Sequence, residues 1–367
     1  MDTSTHSCLT AWRIISSIYI KDLLETIRNW ATLTVILGTA MVIITAQAGK
    51  LLADLVDQKT IYVYAPKRST LLRAMRQIDD LSVVPVNSLE TMQVAVGDAP
   101  DVRIGVIIST EAEAGFEAGQ RINLDVLTAH WAEPDDVDRL IKNLDQQLST
   151  TTEVEIRYEI LEEEAYPQLE RGSRSIMVTS ALVIGVLTIG TFITPYLMAE
   201  EREEGTLTVL RLSPASGSQI VFAKALVGLT YCLVVGSVAL AFNWHFVVHA
   251  WLALSALLLL GLFAVCLGLF VGLIAEQMST INLWMAVALL ILILPTIFLF
   301  MEAGSLPGWL VAFMEWVPTV AAGKLMRISF LNNIDPGILL QPTLALMLLV
   351  LISFSAVVWQ LKQEDRV

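Results

Sequence analysis

A chain of 367 residues that is 55% hydrophobic and only 16% charged, with a mean hydropathy of +0.65, lies outside the range of soluble globular proteins. Its net charge of −13 is local: residues 54–170 hold 23 acidic and 10 basic residues, so the rest of the chain is balanced and one hydrophilic insert carries the acidity. That excludes the basic face a nucleic-acid partner requires, and because the insert contains none of the three cysteines (Cys8, Cys232, Cys266) it has no disulfide framework.

Residues 11–28 place Trp12, Ile15, Tyr19, Leu23 and Ile27 at spacings of three and four, with Arg13, Lys21, Asp22, Glu25 and Arg28 largely elsewhere. This pattern predicts an amphipathic helix at a membrane interface, within a cytosolic N-terminal segment 1–29; a plain helical extension of the first span is the alternative. From Trp30 to Ala48 no residue is charged, which predicts a first span over 30–50. Its A-x-A ending, Ala46 to Ala48, also has the form of a signal-peptidase site, although the polar region before it is long for a signal peptide.

Residues 51–172 form the insert, and its pattern predicts an α/β domain. Strands are expected at 61–65, 82–86, 102–109, 122–127 and 154–160, and helices at 71–78, 89–96 and 134–148. Pro134 suits the first helical turn, and Asp135, Asp136 and Asp138 complement its dipole. Some 120 residues suffice for one small independent core.

The membrane domain follows over 173–367. Uncharged or nearly uncharged runs predict a second span at 175–198, a third at 219–242, a fourth at 251–275, a fifth at 281–301 and a sixth at 338–361. Residues 302–336 are too interrupted by Glu302, Pro307, Glu315, Pro318, Lys324 and Arg327 to face lipid, and predict a re-entrant or interfacial hairpin. The expected fold class is therefore a polytopic α-helical membrane protein with six transmembrane helices and an inserted extracytoplasmic α/β domain. Six spans put both termini on one side. Arg13, Lys21, Arg28, Arg202, Arg211, Lys362 and Arg366 make that side the cytosol of a plasma or inner membrane, while Arg171 and Arg174 lean the other way.

Between the second and third spans, over 199–217, lies the most charged short loop among the apolar segments. It reads EEREEGTLTVLRLSPAS from Glu200 to Ser216. Gly205 permits a tight turn, Thr206 can cap a following helix at 207–212, and the carboxylates can make charge-assisted contacts with a partner. A solvated stop after a span is the simpler alternative. Thr188, Thr191 and Thr194 form the second span's polar stripe, either lining a pathway or bonding their own backbone. Gly268 and Gly272 form a G-x-x-x-G, a weak signal in a glycine-rich span. His245 and His249 stand four apart between Trp244 and Trp251, as interfacial residues or a metal pair. No metal site is expected. The chain has no G-x-x-x-x-G-K-[ST], H-E-x-x-H or G-x-S-x-G, so it is not expected to be an enzyme or to hold a cofactor.

These features resemble the permease subunits of ABC-2 type exporters, in the branch with a large extracytoplasmic domain between the first two spans. Glu200, Glu201, Arg202, Glu203, Glu204, Gly205 and Thr206, with Ser213 and Pro214, are similar to the family's E-R-E-x-G-T segment and its following serine or threonine before proline. The resemblance implies that this loop acts as a coupling helix docked on a separate nucleotide-binding ATPase subunit, which binds the ATP and Mg. It further implies assembly with a second permease copy or paralogue within the lipid bilayer. The absence of an ionisable residue near the middle of any predicted span points to an apolar or amphipathic cargo moved outward. A membrane-anchored sensor or assembly protein with a ligand- or protein-binding outer domain, and a membrane-embedded enzyme, are the alternatives.

Overall fold

The computed structural model describes residues 3–28, 59–66, 69–78, 81–99, 101–152, 154–169, 173–203, 216–275, 277–302 and 307–364. The expected first span at 30–50 lies outside them. The chain opens with helix α1 (Thr3–Arg28) and continues, beyond that gap, into a domain of β1 (Lys59–Tyr64), α2 (Thr70–Met75), β2 (Leu81–Val86), α3 (Leu89–Gly97), β3 (Ile104–Ile107), α4 (Thr110–Glu117), β4 (Ile122–Thr128), α5 (Pro134–Thr151) and β5 (Ile156–Ile160). Then come the long helices α6 (Ser173–Glu203), α7 (Gly217–Ala241), α8 (Ala250–Ile274) and α9 (Met278–Glu302). The short α10 (Gly308–Met314) and α11 (Pro318–Ile328) precede α12 (Pro336–Glu364). Among the described residues five helices, α6 to α9 and α12, are long and apolar enough to cross a membrane.

The insert is a mixed five-stranded sheet of order β2-β1-β3-β4-β5. β1 runs parallel to β2 and β3, β4 is antiparallel to β3, and β5 is parallel to β4. The expected strands and helices all occur, with β3 trimmed to four residues. Helix α4 was not foreseen, because its Ala, Gly and Glu content gives little apolar periodicity. Its role is clear in three dimensions: the Glu113 carboxylate accepts bonds from Ser69 Oγ, Thr70 N and Thr70 Oγ1 at 2.5 Å each and caps the start of α2. Burial pushes the Glu113 pKa up, but these bonds and one from the Leu71 amide overcome it and hold it below the ordinary value.

The two faces of the sheet differ. One face sends Ile61, Val63, Ile104, Val106, Leu124 and Val126 into a core closed by Leu71, Met75, Val137, Leu144 and Leu148 from α2 and α5. The other face lies under α3, whose Met92 crosses so close to Gly105 that a methyl there would stand 2.7 Å from the Met92 sulfur. Met92, Val96, Leu127, Trp131 and Ala165 belong to the same continuous core as the apolar residues of α6, α7, α8 and α11. The insert is therefore not independent on both faces, as its length alone suggests. It is fused to the helical bundle.

The fusion has a definite joint. Trp131 donates its indole N–H to the Gly97 carbonyl at 3.1 Å and stacks on Phe246 with centroids 5.2 Å apart, and Phe246 packs against Phe330 at 5.7 Å. The Arg174 guanidinium, in the first turn of α6, lies 4.5 Å over Trp131 and 5.5 Å over Phe246. Arg327 of α11 donates to the Gln168 carbonyl at 3.1 Å, and the amides of Val248 and His249 both bond the Ser329 carbonyl. Arg174, a misfit in the charge count, is thus consumed by an aromatic joint.

Within the segment 302–336, where a re-entrant or interfacial hairpin is expected, the described residues form two short helices, α10 and α11. α11 is buried along almost its whole length, and Lys324 pairs with Glu315 at 2.6 Å while reaching Gln341 of α12. Helices α9 and α12 have only 22% and 17% of their most apolar stretches buried, against 67% for α6, so their outer faces are free for lipid or another chain.

Two outcomes test the joint. A methyl at Gly97 would stand 2.7 Å from the Tyr166 carbonyl carbon, which is backbone and cannot yield. Gly97→Val is expected to cost about 1–3 kcal/mol, read as a lowered melting temperature of the purified protein. His130 stacks on Tyr166 at 4.6 Å, and burial holds its pKa down to about 4, the Phe246 backbone pulling the other way. A histidine whose folded pKa lies below its unfolded value contributes stability that is complete above about pH 6.5 and is lost as pH falls toward 4. Hydrogen exchange at 128–132, corrected for intrinsic rate, is therefore expected to accelerate on acidification from pH 7 to 5, and His130→Phe is expected to remove that dependence.

Candidate functional site

The acidic motif grows directly out of α6. Leu182, Val186, Leu187, Ile189 and Ile193 bury this helix in the bundle, and it stays helical through Glu203, past the end of the expected span at 198. Glu200, Glu201, Arg202 and Glu203 are thus its last turn rather than the start of a loop. Acidic residues at a helix C-terminus oppose the helix dipole. Glu204, Gly205, Thr206, Ser213 and Pro214 lie outside the described residues, as does the helix expected at 207–212. The chain resumes at Ser216, where a capping box starts α7: the Ser216 hydroxyl accepts from the Gln219 amide, and the Gln219 side chain accepts from the Ser216 amide at 3.0 Å.

Just inside the motif, α6 is held by its neighbours in two ways. The first is close backbone approach. Gly268 and Gly272 of α8 lie against Thr194 and Pro195, and a methyl on Gly272 would stand 2.9 Å from the Pro195 Cα. The G-x-x-x-G that looked weak in sequence is the groove that receives the proline turn of α6. Gly190 of α6 offers the reciprocal gap, 2.6 Å from the Ala264 methyl when a Cβ is built on it.

The second is an ion pair invisible to span-by-span reading. Lys224, 0% exposed on α7, donates to Asp22 Oδ2 on α1 at 3.1 Å and to the Leu197 carbonyl on α6 at 3.1 Å. Asp22 is 1% exposed, so a buried position on α1 is one the amphipathic pattern assigned to the polar side. The Tyr231 hydroxyl donates to the Leu23 carbonyl at 3.1 Å, and the Tyr19 and Thr230 hydroxyls share a bond of 3.0 Å. Trp12, Ile20 and Leu24 stay exposed on a separate face of α1, the arrangement an interfacial helix presents to lipid. A signal was available in sequence. Asp22 shares a helical face with Tyr19, Leu23 and Thr26, and Lys224 is the single charged residue within the expected third span.

Thr188, Thr191 and Thr194 do form one stripe on α6. Each hydroxyl donates to the carbonyl four residues earlier, Ile184, Leu187 and Gly190, at 2.7, 2.7 and 2.9 Å. Thr191 and Thr194 are fully buried in the bundle. His245 lies in a short 3₁₀ turn (Trp244–Phe246) and His249 at the start of α8, where its Nε2 stands 3.3 Å from the Asn332 carbonyl, so the two do not share a helical face. Among the described residues no group of three or more His, Cys, Asp or Glu is placed to hold a metal.

A family model described as "ABC-2 family transporter protein" matches residues 30–359. The match spans most of the chain, which therefore belongs to the ABC-2 transporter family and is a multi-pass membrane protein. No curated protein matches it.

Because Gly272 meets Pro195 backbone rather than a flexible side chain, Gly272→Val is expected to push α8 off α6 at a cost of about 1–3 kcal/mol. Gly308→Val, at a position with open space around it, serves as the control that should melt like the parent protein in a detergent-solubilised thermal scan.

Proposed function

We propose that this ABC-2 family member is the transmembrane permease subunit of an ATP-driven exporter, and that the segment from Glu200 to Pro214 docks a separate nucleotide-binding ATPase subunit. The observation that carries the reading is α6. A single helix joins the sheet domain, through Arg174, to the acidic turn at Glu200–Glu203, and it is gripped on the way by the α8 glycines and by Lys224. A displacement applied to the acidic turn has a stiff path into the bundle. The basic groups of an ATPase partner would make charge-assisted contacts with the carboxylates of this segment.

In this reading the chain is not itself an enzyme and holds no cofactor; ATP and Mg belong to the ATPase subunit. Both termini and the motif face the cytosol, and the sheet domain lies outside the cytoplasm. The cargo is apolar or amphipathic. Support for that comes from the described spans, whose one deeply enclosed cation, Lys224, is already neutralised by Asp22 and sits near the motif end of α7 rather than at mid-helix. A second permease, identical or paralogous, would cover the sparsely packed faces of α9 and α12.

Purified from its native membrane, the protein is expected to bring down an ATPase whose Mg-ATP hydrolysis it stimulates. The double charge reversal Glu201→Lys with Glu204→Lys should lower that stimulation on the order of ten-fold, the equivalent of about 1.4 kcal/mol of lost docking energy, with expression and melting temperature unchanged. Undiminished export by the reversed variant, or a parent protein that recruits no ATPase, would overturn the proposal.

A further inference from the structure

Three elements, the consecutive helices α6 and α7 and the sequence-distant α1, converge on one buried ammonium group. Lys224 Nζ bonds a carboxylate on α1 and a backbone carbonyl on α6 while its own stem is packed in α7. A buried ion pair is a poor way to gain stability, because apolar residues of similar volume usually hold as well or better. What an ion pair supplies instead is direction, since charge-assisted bonds have preferred lengths and angles and set one element's register against another.

The position of the bonded carbonyl gives that direction a use. Leu197 lies two residues after Pro195 and three before Glu200. Proline cannot donate its backbone bond, so Pro195 is the point at which α6 bends most easily. Without a restraint beyond it, a push on the acidic turn would be absorbed by bending there. Lys224 grips the segment between the bend and the motif. The same residue fixes α1 through Asp22, and the Tyr19 to Thr230 and Tyr231 to Leu23 bonds extend the attachment along α1 and α7.

We infer that Asp22 and Lys224 form a positioning clasp that makes α1, the start of α7 and the end of α6 move as one body when the docked ATPase changes state. The inference rests on the proposed docking role of the Glu200 to Pro214 segment. Neither residue touches cargo or nucleotide; both act by holding the Leu197 carbonyl and, through it, the motif.

The test uses the full-length permease copurified with its ATPase subunit in lipid nanodiscs, with Mg-ATP as the probe. Three quantities are measured: melting temperature, ATPase retained per permease, and hydrolysis relative to the ATPase subunit alone. Lys224→Met leaves the Asp22 carboxylate buried without its cation and can fail to fold. The informative variant is therefore Asp22→Leu combined with Lys224→Met, which removes both charges and keeps the volume. It is expected to melt at or above the parent temperature and to retain the ATPase, yet to lose stimulated hydrolysis at least ten-fold. Lys224→Arg, which keeps donors for both acceptors, is expected to retain at least half of the stimulation. Parent-like stimulation by the apolar double variant overturns the clasp, because register would then not need the charges. Failure of that variant to assemble also overturns it, by making the pair a structural requirement only. A parent permease that retains no ATPase instead removes the docking reading on which the clasp stands.

Discussion

A helix with an internal proline bends unless it is clamped along its length. In this protein the clamp on α6 is close packing against α8. Gly268 and Gly272 admit the backbone at Pro195, and Gly190 admits Ala264 in return. In lipid, helices gain no hydrophobic advantage from touching, so such contact depends on dispersion between surfaces that fit. The rest of the architecture follows from this fit. Most of the apolar stretch of α6 is enclosed, one end of the helix meets the sheet domain through Arg174, and the other runs into the acidic turn at Glu200–Glu203.

At one end the meeting is apolar and aromatic. Trp131, Phe246 and Phe330 form a stacked joint capped by the Arg174 guanidinium, and the core beneath the sheet's second face runs on into the helical bundle. A flexible tether would let the sheet domain move independently; a shared core makes domain and bundle one packed object. At the other end the meeting is electrostatic. Asp22 and Lys224 are enclosed together, and removing either partner of such a pair typically costs about 3–5 kcal/mol because the survivor is left buried and uncompensated. The contrast suits the two environments. Aromatic stacking tolerates sliding, whereas a bonded ion pair holds register.

Much of this was legible in order along the chain. The strands of the insert announced themselves by alternation, as in Val154, Ile156, Tyr158 and Ile160 against Glu153, Glu155, Arg157 and Glu159. The five described spans stood out as uncharged runs, and Pro134 with its aspartates marked the start of α5. What escaped was of a different kind. Helix α4 has a capping role toward α2 that no periodicity reveals. The G-x-x-x-G of α8 looked ordinary until its partner proline was in view. Asp22 looked solvated because its neighbours Lys21 and Glu25 are, and Lys224 stood in the expected third span with nothing in the local pattern to name its partner.

The amino-acid sequence by itself determined that this is a membrane protein with an acidic α/β insert and an acidic motif after one span, since hydropathy and alternation are local properties of the chain. Only the tertiary structure decided that the insert shares a core with the bundle, that Glu200–Glu203 at the start of the motif are the last turn of a helix, and that Lys224 binds Asp22 some two hundred residues away. The reason is physical. Whether a charge is solvated or enclosed depends on which other elements lie against it, and that is decided by the packing of helices whose order in the chain does not name their neighbours.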